Sequence, residues 1–483
     1  MFKHGLRSYI VLTSAVSLFF GCAVNRTVAP GSSLEIAGPQ SVSENHDYRR
    51  GRTYFSAPSL LPGTTMAMKT AGYWIKRHPY PDKLILDYSG IAKLNAYIRE
   101  MTGVNDDLSV FPELIPGKTL QNSLLGQLRH FRSGRYYSKD GLPAAAGFYS
   151  RIEANMDFSG LEGDIAVRFA YMVNNADQRL LPVEDGLNEL PFDFDFDELQ
   201  NSSLAPGTPV AVLHASRDGK WYYVSSSVSS GWVEADKTAF CARNEIEEPD
   251  GNDAFVVVTS ARTDIYLDPG LTEYYDYARM GDRFILKEST PLAAEVVLFC
   301  RNPDSSLKRV PGYIAGDDVS RGYLPYTPRN AIRQAFKLLN TPYGWGGMYG
   351  EQDCSQFIRE VFSVMGIKLP RNSAAQAQVG VLLAGASGEP VDDKAVWFSR
   401  KVPGGITTIC LNGHIMLFLG MDNGRPYAIH DAWAYRVKGP RGEDEVRLIN
   451  RVAVTGLELG EGSRKGSLLN RTKCLRMIAL EKP

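Results

Sequence analysis

The residues best suited to chemistry are a cysteine and two histidines in the last third of the chain. Cys354 follows a glycine-rich run that begins at Tyr343, and it directly precedes a stretch whose apolar spacing predicts a helix. A thiol at a helix N-terminus ionises readily, because the positive end of the helix dipole and its N–H groups lower the thiol pKa. The thiolate is a nucleophile, so Cys354 is a candidate for covalent catalysis.

The two histidines flank one predicted hairpin. An apolar strand begins at Gly413-His414, the run Asp422-Asn-Gly424 is a strong turn signal, and a return strand ends at His430. In an antiparallel pair the two rings are neighbours, so His414 can act as a base while His430 holds its ring. A lone cysteine or histidine is more often a packing residue. The combination, in this chain order, predicts a nucleophile, a base and an orienting group.

The elements around Cys354 would position its thiol. Apolar residues recur at helical spacing from Cys354 to Gly366, and Asp353 is placed to cap the N-terminus of that helix. The run Gly344-Trp-Gly-Gly347 lets the backbone fold tightly against a bound substrate. One buried face would fix the helix, and the helix would aim the sulfur.

These residues resemble the NlpC family of bacterial cell-wall cysteine peptidases, which are papain-like enzymes. The matching residues are Tyr343-Gly-Trp-Gly-Gly347, Asp353-Cys354-Ser355, Gly413-His414 and His430. The resemblance implies that Cys354 is the nucleophile, His414 the base and His430 the orienting residue. It also implies hydrolysis of the bond between γ-D-glutamyl and meso-diaminopimelate or lysine in peptidoglycan stem peptides, without metal or cofactor.

The resemblance further implies a set of substrate contacts. Tyr343 would lie beside the oxyanion site, and Asp353 and Ser355 would touch the L-Ala-γ-D-Glu part of the substrate. Members that require a free L-Ala terminus often carry Arg-Asp-Ser at the place where this chain has Arg371-Asn372-Ser373. Asn372 and Ser373 are candidate substrate contacts, but Asn372 cannot supply the charge that pairs with an ammonium. Cleavage of stems still attached to glycan, or a different charge partner supplied by a barrel, remains open. Arg371 is either a solvated turn residue or a substrate contact.

Two other functions are open at this stage. The first is a wall-binding lipoprotein whose catalytic unit is silent or masked by the N-terminal region. The second is acyl transfer or amidase chemistry on the same fold. The mass of the product from a defined muropeptide would separate the three.

Length, charge and cysteine content limit the alternatives. A chain of 483 residues is too long for one core, and we expect three or four domains. The net charge of -1 and the absence of a long basic block argue against nucleic acid as a partner. The six cysteines are scattered and predict neither a zinc knuckle nor a disulfide framework, although a single Cys241–Cys300 bridge is open.

The N-terminus carries a targeting pattern. Lys3 and Arg7 precede a short apolar run that ends at Gly21-Cys22. This run resembles a bacterial lipoprotein signal, which implies cleavage before Cys22 and lipid on its sulfur; an ordinary secretory signal is the alternative. We expect a signal peptide at 1–22, a solvated tether at 23–56, and a lipid-anchored protein in the cell envelope that faces the periplasm.

The remaining chain divides into four regions. Residues 57–163 show helical patches at 91–101 and 120–131. Residues 164–245 and 250–327 are strand-rich, look like a weak duplication and resemble bacterial SH3-like barrels. The first carries an acidic-aromatic insertion at 192–198, which we expect to pack on a neighbour. Residues 328–483 are the catalytic candidate, so the expected fold class is α+β: a papain-like domain preceded by two barrels and a partly helical region.

Overall fold

The computed structural model describes six ranges of the chain: residues 44–47, 52–102, 108–246, 254–385, 394–399 and 401–481. The expected signal peptide, Cys22 and most of the expected tether lie outside these ranges. No helix within them is long and apolar enough to cross a membrane.

The first elements of the chain belong to the C-terminal half of the molecule. They are strands β1 (Glu44–Asp47) and β2 (Arg52–Ser56) and helices α1 (Ala71–Ile75) and α2 (Tyr88–Thr102). Strand β2 pairs in parallel with a strand of the last domain, and the ring of Tyr54 packs edge-on against Trp433. The prediction of a solvated tether up to residue 56 is therefore wrong for residues 52–56, because they form a strand of the sheet and Tyr54 packs against Trp433.

The next elements pack on the first barrel. They are β3 (Leu114–Pro116), α3 (Gly117–Ser133), α4 (Ala146–Met156) and β4 (Asp164–Ala166). Helix α3 confirms the helix predicted at 120–131, and it buries Leu120, Leu124 and Leu128 at helical spacing against the barrel core. Trp74 and Leu94 of the preceding helices lie in a different core. Residues 57–163 therefore do not form a unit of their own, since their two halves pack into two different domains.

Two seven-stranded antiparallel barrels follow. The first has the order β11-β5-β8-β9-β10-β6-β7 and the second β14-β13-β17-β16-β15-β12-β18. Both carry the alternating or continuous apolar runs that a closed sheet buries. Their strands are β5 (Arg168–Met172), β6 (Ala176–Arg179), β7 (Gln200–Leu204), β8 (Pro209–Ala215), β9 (Trp221–Ser225), β10 (Ser230–Glu234), β11 (Thr238–Cys241), β12 (Phe255–Val258), β13 (Arg262–Tyr266), β14 (Tyr274–Arg279), β15 (Arg283–Ser289), β16 (Ala293–Arg301), β17 (Leu307–Ala315) and β18 (Val319–Arg321).

The last domain is an eight-stranded sheet with helices on both faces, and its strand order is β1-β2-β23-β22-β21-β20-β24-β19. Its central helix packs Phe357 and Val361 against Ile415 and Ile429 of the sheet. The domain comprises α5 (Pro328–Lys337), α6 (Cys354–Ser363), α7 (Ser373–Gln376), β19 (Val381–Gly385), α8 (Ala395–Ser399), β20 (Thr407–Leu411), β21 (His414–Asp422), β22 (Arg425–Lys438), β23 (Asp444–Gly456), α9 (Leu468–Arg471) and β24 (Thr472–Met477). The expected α+β class, with two barrels before the catalytic candidate, is confirmed.

One disulfide joins two strands of this sheet. Cys410 of β20 and Cys474 of β24 are direct cross-strand partners and are bonded to each other. Cys241 and Cys300 are free thiols, so the bridge that the sequence left open between them does not form. The correct pair could not be read from spacing, because 64 residues separate the two cysteines.

Candidate active site

The helix that begins at Cys354 is capped as expected. The Asp353 carboxylate accepts hydrogen bonds from the backbone N–H groups of Ser355 (3.0 Å) and Gln356 (2.9 Å). The Cys354 side chain is only 3% exposed and belongs to the core that α6 shares with Ile415, the residue after His414. The cap prediction is confirmed, and the thiol lies on the inner side of the helix start.

The two histidines contact each other directly. His414 Nε2 and His430 Nδ1 are 2.7 Å apart, and His430 Nε2 is 2.9 Å from the hydroxyl oxygen of Thr455. The two-residue turn at Asn423-Gly424 closes the predicted hairpin, with both residues in the left-handed region. The sequence placed the rings near one another correctly, whereas Thr455, on the next strand, carried no signal that could have singled it out.

Burial controls the charge of both rings. It lowers the pKa of His414 well below its ordinary value, and the nearby His430, Arg471 and Lys465 lower it further. Burial likewise lowers the pKa of His430 to about 3, with Arg471 acting in the same direction. Both imidazoles are therefore neutral at physiological pH, the state in which a histidine can accept a proton.

Arg371 ties the start of α6 to the first barrel. Its guanidinium makes a bidentate ion pair with Asp353 (2.8 and 3.1 Å) and donates to Ser355 Oγ (3.0 Å) and to Ser202 Oγ of β7 (2.9 Å). Although burial raises the pKa of Asp353, the Arg371 guanidinium outweighs it and holds that pKa below the ordinary range. Arg371 is 5% exposed, so its interpretation as a solvated turn residue is wrong.

The glycine-rich loop, Trp345–Gly350, packs on the first barrel. Gly346 and Gly347 adopt left-handed conformations, and a Cβ on either would lie within 2.8 Å of Gln200 or Ser203 of β7. The Trp345 indole N–H donates to the Asp197 carbonyl (3.0 Å). The tight backbone that the sequence predicted is present, but the surface it meets is the barrel strand β7.

The acidic-aromatic insertion contributes to the same contact. The Phe196 ring lies 5.3 Å from Trp345 and 5.0 Å from Trp433, between the loop and strand β22. Its packing on a neighbour was expected, and this is confirmed. The barrel thus forms one wall beside the candidate active site.

The second barrel supports the loop and helix from the other side. Arg279 donates to the carboxylate of Glu360 on α6 (2.8 Å), to the carbonyl of Glu351 (2.6 Å) and to the side-chain carbonyl of Gln352 (2.8 Å). Sequence reasoning missed Arg279, because its local context is that of a surface arginine. Its partner Glu360 lies 81 residues away along the chain.

The remaining predicted substrate contacts lie close to these groups. Tyr343 is buried at the entry to the glycine-rich loop. The Asn372 side chain caps α7 by accepting from the Ala375 N–H (2.8 Å), and Ser373 is the first residue of that helix. No group of three or more potential metal ligands occurs within the ranges that the structure describes.

Comparisons with known proteins agree with this arrangement. Residues 191–234 match the SH3 domain (SH3b1 type), and residues 340–400 match the NlpC/P60 family. A comparison with curated protein sequences found no match. NlpC/P60 domains are in general cysteine peptidases that hydrolyse cell-wall material.

A solved structure shares this fold over most of the chain. An NlpC/P60 endopeptidase from Photobacterium damselae subsp. piscicida aligns over 89% of this chain and 100% of its own, with a TM-score of 0.69 and 19% identity. An NlpC/P60 family protein from Bacillus cereus aligns over 58% of this chain and 82% of its own, with 18% identity. Its TM-score is 0.41. This chain therefore contains an SH3 domain of the SH3b1 type and an NlpC/P60 peptidase domain, arranged in the fold of the Photobacterium endopeptidase.

Proposed function

We propose that this protein is a peptidoglycan hydrolase, an endopeptidase that cleaves stem peptides through Cys354, His414 and His430. The bond we assign is the one between γ-D-glutamyl and the diamino acid, diaminopimelate or lysine. The observation that carries the proposal is the 2.7 Å contact between the two neutral imidazoles, on strands packed against the helix that begins at Cys354.

The orientation of the rings assigns their roles. Because His430 engages Nε2 of His414, the other nitrogen of His414, Nδ1, is the one that would accept the thiol proton. Thr455 holds the far side of His430 and so fixes its ring. This is the order of nucleophile, base and orienting group, with imidazole as the third member.

The reaction begins with transfer of the acyl group of the substrate to the Cys354 sulfur. The Cys354 thiolate attacks the amide carbonyl, and backbone N–H groups at the start of α6, with Tyr343, stabilise the oxyanion. His414 returns the proton to the leaving amine, and water hydrolyses the thioester. The low pKa of His414 makes its protonated form a strong acid toward that amine.

Substrate selection involves both the peptidase domain and the barrel wall. Asp353 and Ser355 are held by Arg371, so we assign them a fixed surface for the L-Ala-γ-D-Glu part of the stem. Asn372 carries no charge and caps α7. A free L-Ala terminus should therefore not be required, and stems still attached to glycan should also be cleaved.

We also propose that the protein works in the cell envelope, anchored by lipid on Cys22 and facing the periplasm. The support is the sequence pattern alone, since Cys22 lies outside the described residues. Replacing Cys22 by Ser should release the protein from the membrane fraction, and retention of that variant on the membrane would contradict the anchor.

The central experiment digests defined muropeptides and identifies the products by mass spectrometry. Wild-type protein should release fragments cut after γ-D-glutamate from stems with a free and with a blocked L-Ala terminus. Cys354→Ala should release none while it keeps its fold, and Cys300→Ser, which changes a free thiol of the second barrel, should retain activity. Full cleavage by Cys354→Ala would refute the proposal, and products that carry an added acceptor would indicate transfer.

A wall-binding protein with a masked peptidase domain is the second candidate. The observation that favours it is the low exposure of Cys354, at 3%. Such a protein would sediment with purified cell wall and leave muropeptides uncut. Release of fragments in the digestion above would eliminate this candidate.

A further inference from the structure

A cavity of about 190 Å³ lies where the two barrels meet helix α6. The first barrel contributes Tyr171 and Ser203 to its lining, the second contributes Tyr275 and Asp282, and α6 contributes Arg359. None of Cys354, His414 and His430 lines it. The cavity is therefore separate from the candidate active site.

Arg359 brings a half-buried cation to this cavity. Within the described part of the chain its guanidinium has neither a hydrogen bond nor an ion pair, in contrast to Arg279, which also lines the cavity but is paired with Glu360. Burial, together with the nearby Arg371, lowers the pKa of Arg359 to about 10, although Asp282 and Glu360 act in the opposite direction. A half-buried guanidinium without an ion pair is stabilised when an anion binds it.

Asp282 faces the same cavity and acts on Arg359 through its charge, but no ion pair joins the two among the described contacts. Its carboxyl accepts from the Arg279 backbone N–H (2.7 Å), and burial raises its pKa to about 7. Near neutral pH a large fraction of Asp282 is therefore protonated and can donate an O–H to a ligand. An anion with two charges would be disfavoured here, since ionised Asp282 would repel it.

The lining also contains apolar side chains. They include Val228 of the first barrel and Phe284, Val297 and Leu298 of the second. A ligand with a charged group for Arg359 and an apolar group for these side chains would use both parts of the lining. A carboxylate with a short apolar substituent meets both conditions.

We propose that this cavity binds a small organic carboxylate, with the carboxylate on Arg359 and the apolar group against Val228 and Phe284. The ligand would contact both barrels and the peptidase domain at once. The inference does not depend on the peptidase activity.

Calorimetric titration of the full chain with N-acetylalanine tests this site. N-acetylalanine should bind, and its neutral counterpart N-acetylalaninamide should not. Arg359→Gln should weaken binding of the acid at least about tenfold, the effect expected when one charge-assisted contact is lost. Arg151→Gln, which changes an exposed arginine of α4, should leave it unchanged.

Several results would overturn the site. They are absence of binding by the acid, equal binding of acid and amide, tighter binding of inorganic phosphate, or unchanged affinity in Arg359→Gln. If Arg359→Gln unfolds, Arg359→Lys decides instead, because it keeps the charge and should keep most of the affinity. Binding of the acid and cleavage of muropeptides are independent readouts, so loss of cleavage in a variant does not change the conclusion drawn from its binding.

The pH dependence supplies an independent check. Asp282 is faced by Arg279 from its own barrel and by Arg359 and Glu360 from α6. Affinity for the acid should fall as the pH rises through about 7, since ionised Asp282 repels a carboxylate. In Asp282→Asn this fall should disappear; its persistence there would contradict the assignment.

Discussion

In the proposed mechanism, Cys354 is a nucleophile beside two imidazoles that burial keeps uncharged. An exposed histidine near neutral pH would be partly protonated and unable to accept the thiol proton. Burial keeps His414 unprotonated near neutral pH, because the charged ring would be poorly solvated there. At the scale of single residues, the site is thus prepared for proton transfer over a wide pH range.

The low pKa of His414 predicts the acid side of the pH profile. The neutral ring is the active form, so kcat/KM should persist below pH 6.5, the ordinary histidine pKa, and fall only at lower pH. Cleavage of a soluble muropeptide measured across a pH series gives this limb directly. An acid limb centred above pH 6.5 would show that His414 is not the base or that its ring is solvated.

Arg371 and Arg279 both support the start of helix α6. Each carries several hydrogen bonds to residues that precede or begin α6. Buried ion pairs contribute little net stability, but loss of one partner leaves a costly unpaired charge. We infer that they hold the helix start in place for the thiol.

Single elements show how the barrel and the peptidase domain are joined. The insertion at 192–198 and strand β7 face the glycine-rich loop, and Phe196 fills the space between that loop and β22. The loop can lie so close to β7 because two of its residues have no side chain. The wall beside the candidate active site is therefore formed by the first barrel and the peptidase domain together.

Truncation of Phe196 should weaken this wall. Phe196→Ala is expected to lower the free energy of unfolding by about 3 kcal/mol, as for other buried phenylalanines, and to reduce kcat/KM by about tenfold because the loop is less well held. Denaturant unfolding and muropeptide kinetics measure the two effects.

Phe194 provides the matched control. It lies two residues away in the same insertion but is 36% exposed. Phe194→Ala should change stability by less than about 0.5 kcal/mol. Equal effects of the two substitutions would mean that the insertion does not act through the contact of Phe196.

At the scale of the whole molecule, the N-terminal segment, which is residues 52–102, packs into the peptidase domain. Met68, Trp74, Ile75, Leu94 and Ile98 are buried in the peptidase core, and β2 extends its sheet. At about 2 kcal/mol for each large apolar side chain, this burial contributes about 10 kcal/mol. That sum is comparable to the entire net stability of a typical domain.

A fragment of residues 328–483 should therefore fail to fold. Residues 52–483 should fold and remain active, because they retain the N-terminal segment with strand β2 and both barrels. Circular dichroism and muropeptide cleavage compare the two. A folded, active fragment of residues 328–483 would show that the N-terminal segment is dispensable.

The sequence by itself determined the local parts of the site. Helix α6 with its Asp353 cap, the Asn423-Gly424 hairpin and the alternation of barrel strands all follow from residues close together in the chain. Their signals are local because caps, turns and strand patterns are set by neighbouring side chains.

Only the tertiary structure decided how these parts are supported. The contacts of Arg279, Arg371 and Phe196, the Cys410–Cys474 bond and the division of residues 57–163 between two cores join residues far apart in sequence. Such contacts depend on packing and long-range pairing, which leave no periodic trace in a single sequence.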